Sequence, residues 1–148
     1  MLFRSTFNYL LTARGRNAAL RRVAEHLTSR GRLLIDVFIP LARIARCPST
    51  PVPKLDVRLP SGGRLRGWNF YTMDLRRQIE TRRHLITYEA ATGRTYKRRF
   101  TIRRRWWRTA ELKALFRRYR FRVEGVFAGY RGRRARGDAE QLLWVLRR

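Results

Sequence analysis

The first regular pattern along the chain is an apolar stripe at helical spacing. Four apolar residues fall at positions i, i+3, i+4 and i+7, namely Leu20, Val23, Ala24 and Leu27. This spacing places them on one face of a helix, which we predict over residues 13–27. Thr12 precedes the helix as a candidate N-cap, and Gly31 follows it as the stop and turn.

A second segment repeats this spacing near the end of the chain. Its stripe consists of Leu112, Leu115, Phe116 and Tyr119. Thr109 is the candidate N-cap, and Glu111 lies in the first turn, where the helix dipole favours a negative charge. We therefore predict a second amphipathic helix whose N-cap is Thr109.

Short apolar runs beside these helices predict strands. Residues 32–40 (RLLIDVFIP) follow the first helix and fit a strand buried on both faces, as in a parallel sheet. Residues 1–11 predict the end of another strand that runs into a loop. Two further strands are predicted over residues 121–128 and 142–146, and the lack of a helix between them makes them candidate antiparallel neighbours.

The middle of the chain changes to an alternating pattern. Residues 47–53 (CPSTPVP) contain three prolines and predict a linker without regular structure. Alternating apolar residues and turns at 60–63 and around Gly93 then indicate an antiparallel meander. Its predicted strands contain Leu55, Val57 and Leu59 in the first, then residues 64–72, 77–89 and 95–106.

The order of these elements indicates an α/β fold. Helices that alternate with buried strands are typical of doubly wound sheets. We predict that residues 1–46 and 108–148 form the core of such a sheet. Residues 47–107 would then be a linker and an antiparallel β insertion.

Four segments, taken in order, resemble one bacterial branch of the class I S-adenosylmethionine-dependent methyltransferases. They are RSTFNYLLT (4–12), HLTSRGRLLIDVFIP (26–40), YRFRVEGVFAGYRG (119–132) and LLWVLRR (142–148). Each motif is weak alone, and their joint order and spacing carry the resemblance. It implies a Rossmann-like fold of which this chain is the C-terminal half, from the fourth strand to the seventh.

The sequence departs from this family at several points. Ser29 and Arg30 replace a proline and a glycine, Arg120 stands where a helix-ending glycine is expected, and the loop at 129–132 lacks the family's carboxylates. No G-x-G-x-G turn follows a predicted strand. Because the fold binds its cofactor at the carboxyl ends of its first strands, we expect the part that holds the methyl donor to be absent from this chain.

The resemblance implies S-adenosylmethionine as cofactor and leaves the methyl acceptor unidentified. Methyl transfer from a sulfonium depends on proximity and alignment more than on acid–base groups, so we predict no catalytic side chain and no metal. Phe7 and Asn8 are candidate cofactor-binding residues, or else a core residue and a turn residue. The candidate substrate-side residues are Tyr9, Trp68, Tyr71 and Tyr130.

The amino-acid composition gives the chain an extreme positive charge. Among 148 residues, 36 are Lys or Arg and 10 are acidic, which gives a net charge of +26. Such a field attracts phosphate backbones and other anionic surfaces, although arginine accumulation in a GC-rich genome would produce the same excess. Cys47 is the only cysteine, and no apolar run reaches the roughly 20 residues of a membrane span. We expect a cytoplasmic protein.

The densest basic cluster lies in residues 94–108 (RTYKRRFTIRRRWWR). Arginines can neutralise phosphates while aromatic rings stack on bases. An ordinary strand with aromatic side chains in the core and arginines in water fits the same pattern. The candidate nucleic-acid contacts are Arg98, Arg99, Arg103, Arg104, Arg105, Trp106 and Trp107.

Three isolated polar residues are candidates for chemistry. Asp36 lies within an apolar strand, so its carboxylate must be paired or lie near a functional strand end, and the many arginines favour pairing. Neither His26 nor His84 belongs to a recognisable acid–nucleophile constellation, so a structural role is favoured for both.

Two functions remain open at this point. The chain is either part of a methyltransferase domain, with doubtful activity alone, or a small basic module that binds nucleic acid or ribosomes without catalysis. Without the first strands of the fold, residues 33–38 would lack a neighbour on one side. We therefore expect exposed strand edges that favour association with another chain.

Overall fold

The computed structural model describes residues 2–3, 5–39, 50–135 and 139–148. The chain divides into two compact units, with Met1–Leu41 and Arg104–Arg148 in unit one and Ala42–Arg103 in unit two. The elements are, in chain order, β1 (Leu2–Phe3), α1 (Ala13–His26), β2 (Arg32–Phe38), β3 (Val52–Arg58), β4 (Arg64–Asp74), β5 (Ile79–Glu89), β6 (Thr95–Arg105), α2 (Thr109–Arg118), β7 (Arg122–Ala128) and β8 (Gln141–Arg147).

Unit one contains a four-stranded sheet in the order β1-β2-β8-β7. β1 pairs with β2 in parallel, and β8 is antiparallel to both β2 and β7. The predicted antiparallel pairing of the last two strands is thus confirmed. The expectation that β2 lies in a parallel sheet holds on its β1 side only, because β8 runs in the opposite direction. The expectation that residues 33–38 lack a neighbour on one side is wrong, because β1 and β8 pair with β2 on its two sides.

Both predicted helices are present in unit one. The hydroxyl of Thr12 accepts the Gly15 N–H at 3.1 Å, as expected of an N-cap. The N-cap of α2 is Arg108 rather than Thr109, and the Arg108 N–H donates to the Glu111 carboxylate at 3.4 Å. Thr109 is therefore the first helical residue, and the predicted N-cap is wrong by one position. The Glu111 carboxylate accepts the N-cap N–H, as the third residue of a capping box does.

The apolar stripes of the two helices supply the core of unit one. Leu20 and Val23 of α1 and Leu112 and Phe116 of α2 are buried, and the remaining stripe residues pack against them. The Phe116 ring meets the Trp144 ring edge to face, with centroids 5.4 Å apart. From the strands, the core receives Leu33, Ile35, Val37, Leu142, Trp144 and Leu146.

Unit two contains a second sheet in the order β3-β4-β5-β6, with β3/β4 and β4/β5 antiparallel. The two predicted turns are present, and in them Gly62 and Gly93 adopt positive φ angles of 81° and 80°. A third turn joins β4 to β5, and the predicted strand 77–89 starts two residues too early because β5 begins at Ile79.

The predicted linker, by contrast, is too long. Residues 47–49, with Cys47, lie outside the described residues, but Val52 and Pro53 already belong to β3. A proline is tolerated there because β3 is an edge strand and its register shifts between Pro53 and Leu55.

The buried side chains of unit two differ in kind from those of unit one. Within the described residues, the buried side chains of unit two are polar or charged: Asn69, Gln78, Glu80 and Thr87. The edge strands β3 and β6 are exposed along most of their length. Unit two therefore gains little stability from an apolar core of its own.

Candidate functional site

A buried carboxylate lies at the centre of a hydrogen-bond cluster in unit one. Asp36 of β2 is 2% exposed. Its Oδ2 atom accepts hydrogen bonds from Tyr130 Oη at 2.8 Å, Gln141 Nε2 at 2.5 Å and Ser5 Oγ at 3.2 Å. We call these four residues the Asp36 cluster. Its donors are neutral, so the predicted pairing of Asp36 with arginine is wrong within the described residues.

Strand order explains how four distant residues meet. Ser5 follows β1, and β1 runs parallel to β2 with Phe3 opposite Ile35. Gln141 begins β8 opposite Phe38, and Tyr130 lies in the loop after β7. The cluster therefore lies toward the carboxyl ends of the two parallel strands, which is the edge where open α/β sheets bind ligands.

Two features set this cluster apart from an ordinary buried ion. Ser5 has a positive φ of 51°, which a non-glycine residue seldom adopts and which often marks a functional position. The second oxygen of Asp36, Oδ1, is buried and has no hydrogen-bond partner among the described residues. A buried acceptor without a partner costs about 1–3 kcal/mol, so a donor that reached Oδ1 would be bound favourably.

A short 3₁₀ turn, Thr6–Tyr9, carries three of the predicted site residues. Phe7 is fully buried, and its ring stacks on Trp107 with centroids 5.4 Å apart. Asn8 is also fully buried, and its Nδ2 donates to the Arg105 carbonyl oxygen at 2.7 Å. Asn8 Oδ1 has no partner among the described residues, whereas Tyr9 is 49% exposed.

Cations hold this turn in place. Arg16 donates to the carbonyl oxygens of Leu10 and Leu11 at 3.0 and 2.8 Å. Its guanidinium lies 5.2 Å from the centre of the Trp107 ring, and that of Arg105 lies at 4.8 Å. Burial, and then the charge of Arg105, lower the pKa of Arg16 from its usual value, while Glu111 opposes this effect.

The structure separates the predicted site residues. Phe7, Asn8, Tyr9 and Tyr130 belong to unit one, whereas Trp68 and Tyr71 belong to unit two. In unit two the Arg82 guanidinium lies 4.9 Å from the centre of the Tyr71 ring, and Asn69 Nδ2 donates to Tyr71 Oη at 3.2 Å. The roles proposed for these residues toward cofactor or substrate stay predictions.

The predicted nucleic-acid contacts are also divided. Arg98, Arg99 and Arg103 are exposed on β6. Trp107 is a core residue, 4% exposed, and is not available to stack on a base. The remaining residues are half-buried: Arg104 lies 3.5 Å from the centre of the Phe38 ring, Arg105 approaches Glu111 at 4.0 Å, and the Trp106 Nε1 atom is buried.

Neither histidine joins the Asp36 cluster. His26 Nδ1 donates to the Arg22 carbonyl oxygen at 2.8 Å within α1. His84 of β5 stacks on Phe100 with ring centroids 4.3 Å apart. Within the described residues, no group of three or more His, Cys, Asp or Glu could hold a metal ion, and no helix is long and apolar enough to cross a membrane.

Several solved structures that match this arrangement of elements are methyltransferases. An S-adenosylmethionine-dependent methyltransferase from Clostridium acetobutylicum matches with a TM-score of 0.78 at 8% identity, over 97% of this chain and 55% of that chain. This chain has the fold of part of a class I methyltransferase. The predicted family resemblance is thus confirmed at the level of the fold.

Two further methyltransferase structures agree. CalS10, an amino pentose methyltransferase from Micromonospora echinaspora, matches with a TM-score of 0.72 at 14% identity, over 99% of this chain and 56% of that chain. The CcbJ methyltransferase from Streptomyces caelestis matches with a TM-score of 0.70 at 18% identity, over 99% and 54%. The chain therefore spans little more than half the length of these proteins. No family sequence model and no curated protein match it.

Sequence reasoning missed two members of the Asp36 cluster. Ser5 comes two residues after Phe3, the last of the first apolar residues, and a small polar residue just after a strand is a signal that could have marked it. Gln141 precedes the last apolar run, and its proximity to Asp36 follows only from the antiparallel register of β2 and β8. The sequence marks Asp36 and Tyr130 for separate reasons, and the fold brings them together.

Proposed function

We propose that this chain forms part of an S-adenosylmethionine-dependent methyltransferase domain and does not transfer methyl groups by itself. The observation that carries this proposal is the match of nearly the whole chain to about half of several such enzymes, 97% and 55% for the first of them. Within the 148 residues, no glycine-rich turn of the kind that receives the cofactor follows a strand.

The Asp36 cluster is the best-supported place for this activity. It lies at the carboxyl edge of the parallel strands, and the half-exposed Tyr130 ring is oriented by its hydrogen bond to Asp36. A tyrosine ring that is held in one orientation can align a methyl acceptor with the methyl donor. Such alignment is the main requirement for methyl transfer. S-adenosylmethionine, when bound, supplies an electrophilic methyl group.

The residues of this edge are chemically suited to such a ligand. Asp36 Oδ1 and Asn8 Oδ1 are buried acceptors without partners among the described residues. The amino group and the ribose hydroxyls of S-adenosylmethionine could donate hydrogen bonds to these oxygens. Because these contacts are few, we expect the chain alone to bind the cofactor only at millimolar concentration.

Two measurements test both parts of this proposal. Calorimetry with S-adenosylmethionine should give no saturable heat at micromolar ligand, and saturable heat there would contradict the partial-domain proposal. Backbone NMR at millimolar ligand should show small shifts confined to residues 5–9 and 36–38. If an Asn8→Ala variant keeps those shifts, or the wild-type chain shows none, the edge is not a cofactor site. A Tyr71→Phe variant in unit two is the matched control.

A second proposal concerns single-stranded nucleic acid, and one feature of unit two favours it. A cleft of about 410 Å³ crosses β4, β5 and β6, and it combines aromatic rings with arginines. Exposed rings and guanidinium groups together are the usual elements of a single-strand binding surface. The cleft is lined by Phe70, Arg83, His84, Leu85, Arg99, Phe100 and Thr101.

The exposed arginines of β6 provide the test. Replacing Arg98, Arg99 and Arg103 with Gln should weaken binding to an oligouridylate and reduce the salt dependence of that binding. The control replaces Arg14, Arg21 and Arg58, which are also exposed, and changes the total charge equally. Equal losses in the two variants would show a general charge effect and contradict a site on β6. Arg104 and Arg105 are left unchanged because they pack on Phe38 and Trp107.

A further inference from the structure

Four arginines line one pocket of unit one. The pocket has a volume of about 630 Å³ and is lined by Arg117, Arg120, Phe121, Arg122 and Arg148. Phe121 is 2% exposed and so forms part of its apolar wall, whereas the four arginines are exposed. Among the residues that the structure describes, no acidic side chain lines the pocket.

The fold brings these arginines together from α2, β7, the turn between them and the residue that follows β8. Arg117 lies in the last turn of α2, Arg120 in the turn that follows, and Arg122 at the start of β7. Arg122 is opposite Arg147 of β8, so Arg148 lies beside it. The Arg148 guanidinium donates to the Ala24 carbonyl oxygen of α1, which holds that side chain in place.

The charges of this pocket are not neutralised by the protein. The nearby Glu124 carboxylate is already engaged by Arg32 at 2.6 Å and by Arg147 at 3.8 Å. In the described part of the chain, none of the four lining arginines forms an ion pair with a carboxylate. The four positive charges that line the pocket repel one another. A bound oxyanion would attract each of them and offset this repulsion.

The backbone at Arg120 gives an independent observation. Arg120 has a φ of 59°, in the left-handed region that non-glycine residues seldom adopt. A glycine would adopt this conformation without strain and is common directly after a helix. This chain has an arginine here instead, which makes the left-handed backbone conformation less favourable than it would be for glycine. The Arg120 side chain lines the pocket.

The pocket is distinct from the Asp36 cluster. Arg32, Arg147 and Arg122 are register partners across the sheet, and Arg32 is the first residue of β2. The pocket therefore lies toward the amino end of β2, whereas Asp36 lies toward its carboxyl end. A ligand here would not occupy the proposed methyl-transfer site.

We propose that this four-arginine pocket binds a phosphate group. Guanidinium groups match phosphate oxygens with paired hydrogen bonds and keep their charge at any physiological pH. The group could belong to a small phosphorylated molecule or to a nucleic-acid backbone, because the recognising chemistry is the same.

Pyrophosphate is the first probe, measured at constant ionic strength. It should bind the wild-type chain with saturable heat and raise the melting temperature by about 5 °C at a hundredfold excess over Kd. The Arg120→Gly, Arg122→Gln double variant should lose about tenfold or more in affinity, since hydrogen bonds between charged groups are among the strongest. The glycine removes the left-handed strain, so this variant should remain folded.

The control is the Arg14→Gln, Arg21→Gln variant, which removes two exposed arginines of α1 outside the pocket. It should lose less than about twofold, the small effect expected of two charges screened by salt. Equal losses in both double variants, or no saturable binding to the wild-type chain, would overturn the proposal.

A short oligouridylate distinguishes the two sources of phosphate. If the pocket variant loses affinity for both pyrophosphate and oligouridylate, the pocket accepts a nucleic-acid backbone. If it loses affinity for pyrophosphate alone, the pocket accepts a small phosphorylated ligand. Because neither readout involves S-adenosylmethionine, failure here leaves the methyltransferase proposal to its own tests.

Discussion

At the scale of single residues, Asp36 is the clearest departure from ordinary packing. A carboxylate that is 2% exposed needs compensation for lost hydration, and here three neutral donors supply it at a single oxygen. The sequence identified the burial of Asp36 from the apolar run around it. It could not identify the partners, because they lie 31, 94 and 105 positions away.

Removing the Tyr130 hydroxyl should measurably weaken unit one. In a Tyr130→Phe variant, Asp36 loses one donor to a buried charged oxygen, which should lower the free energy of unfolding by about 1.5–2 kcal/mol. Urea unfolding measures this change. Tyr9→Phe is the control, because Tyr9 is similarly exposed, 49% against 48%, and lies outside the Asp36 cluster. Its effect should stay within about 0.5 kcal/mol, and equal effects would contradict a structural role for the Asp36 contact.

His84 should make unit two sensitive to mild acid. Burial of its ring, and then the charge of Arg82, lower the pKa of His84 from its ordinary value of 6.5. Between the two pKa values, the unfolded chain binds a proton that the folded chain does not. The free energy of unfolding should therefore fall as the pH drops below 6.5, and it should be highest above that value.

Urea unfolding at about pH 7.5 and at about pH 5.5, on either side of the ordinary histidine pKa, checks this prediction. The His84→Gln variant should lose less stability between the two pH values than the wild-type chain. Phe100→Ala should also show a smaller loss, because it exposes the ring that Phe100 covers. An unchanged pH dependence in His84→Gln would exclude His84 as its source.

At the scale of elements, periodicity predicted most of the helices and strands. The apolar stripes of α1 and α2 face the core as predicted. Helical spacing depends only on residues that are close in sequence, so it can be read without knowing the rest of the fold. Predictions that depended on neighbours were less successful. Pro53 does not end the linker, because an edge strand needs no hydrogen bond from it. Trp107 is not a surface ring, because Phe7 and Arg16 cover it from distant parts of the chain.

The N-cap of α1 allows an element-scale prediction. Thr12→Ala removes the hydroxyl that accepts the Gly15 N–H, and this should lower the free energy of unfolding by about 1 kcal/mol. Thr28→Ala, an exposed threonine after the helix, is the control and should change it by less than about 0.5 kcal/mol. Circular dichroism during urea unfolding measures both. Similar losses in the two variants would mean that Thr12 does not act through the cap.

At the scale of the whole molecule, two facts govern behaviour in solution. The chain corresponds to about half of the methyltransferases whose fold it shares, and its net charge is +26. In unit two, exposed apolar side chains lie on both edge strands: Val52 and Val57 on β3, and Tyr96 and Phe100 on β6. Apolar edge strands favour association, whereas a large net charge of one sign opposes it.

The balance between these two effects should change with salt. The distance over which charges repel falls from about 10 Å at 0.1 M salt to about 3 Å at 1 M, while apolar attraction persists. The isolated chain should therefore be mainly monomeric at low salt and associate as salt increases, which light scattering after size-exclusion chromatography measures. A Val57→Lys, Phe100→Lys variant should remain monomeric at higher salt, because it adds charge to both edges. A wild-type chain that stays monomeric at every salt concentration would contradict association through the edges of unit two.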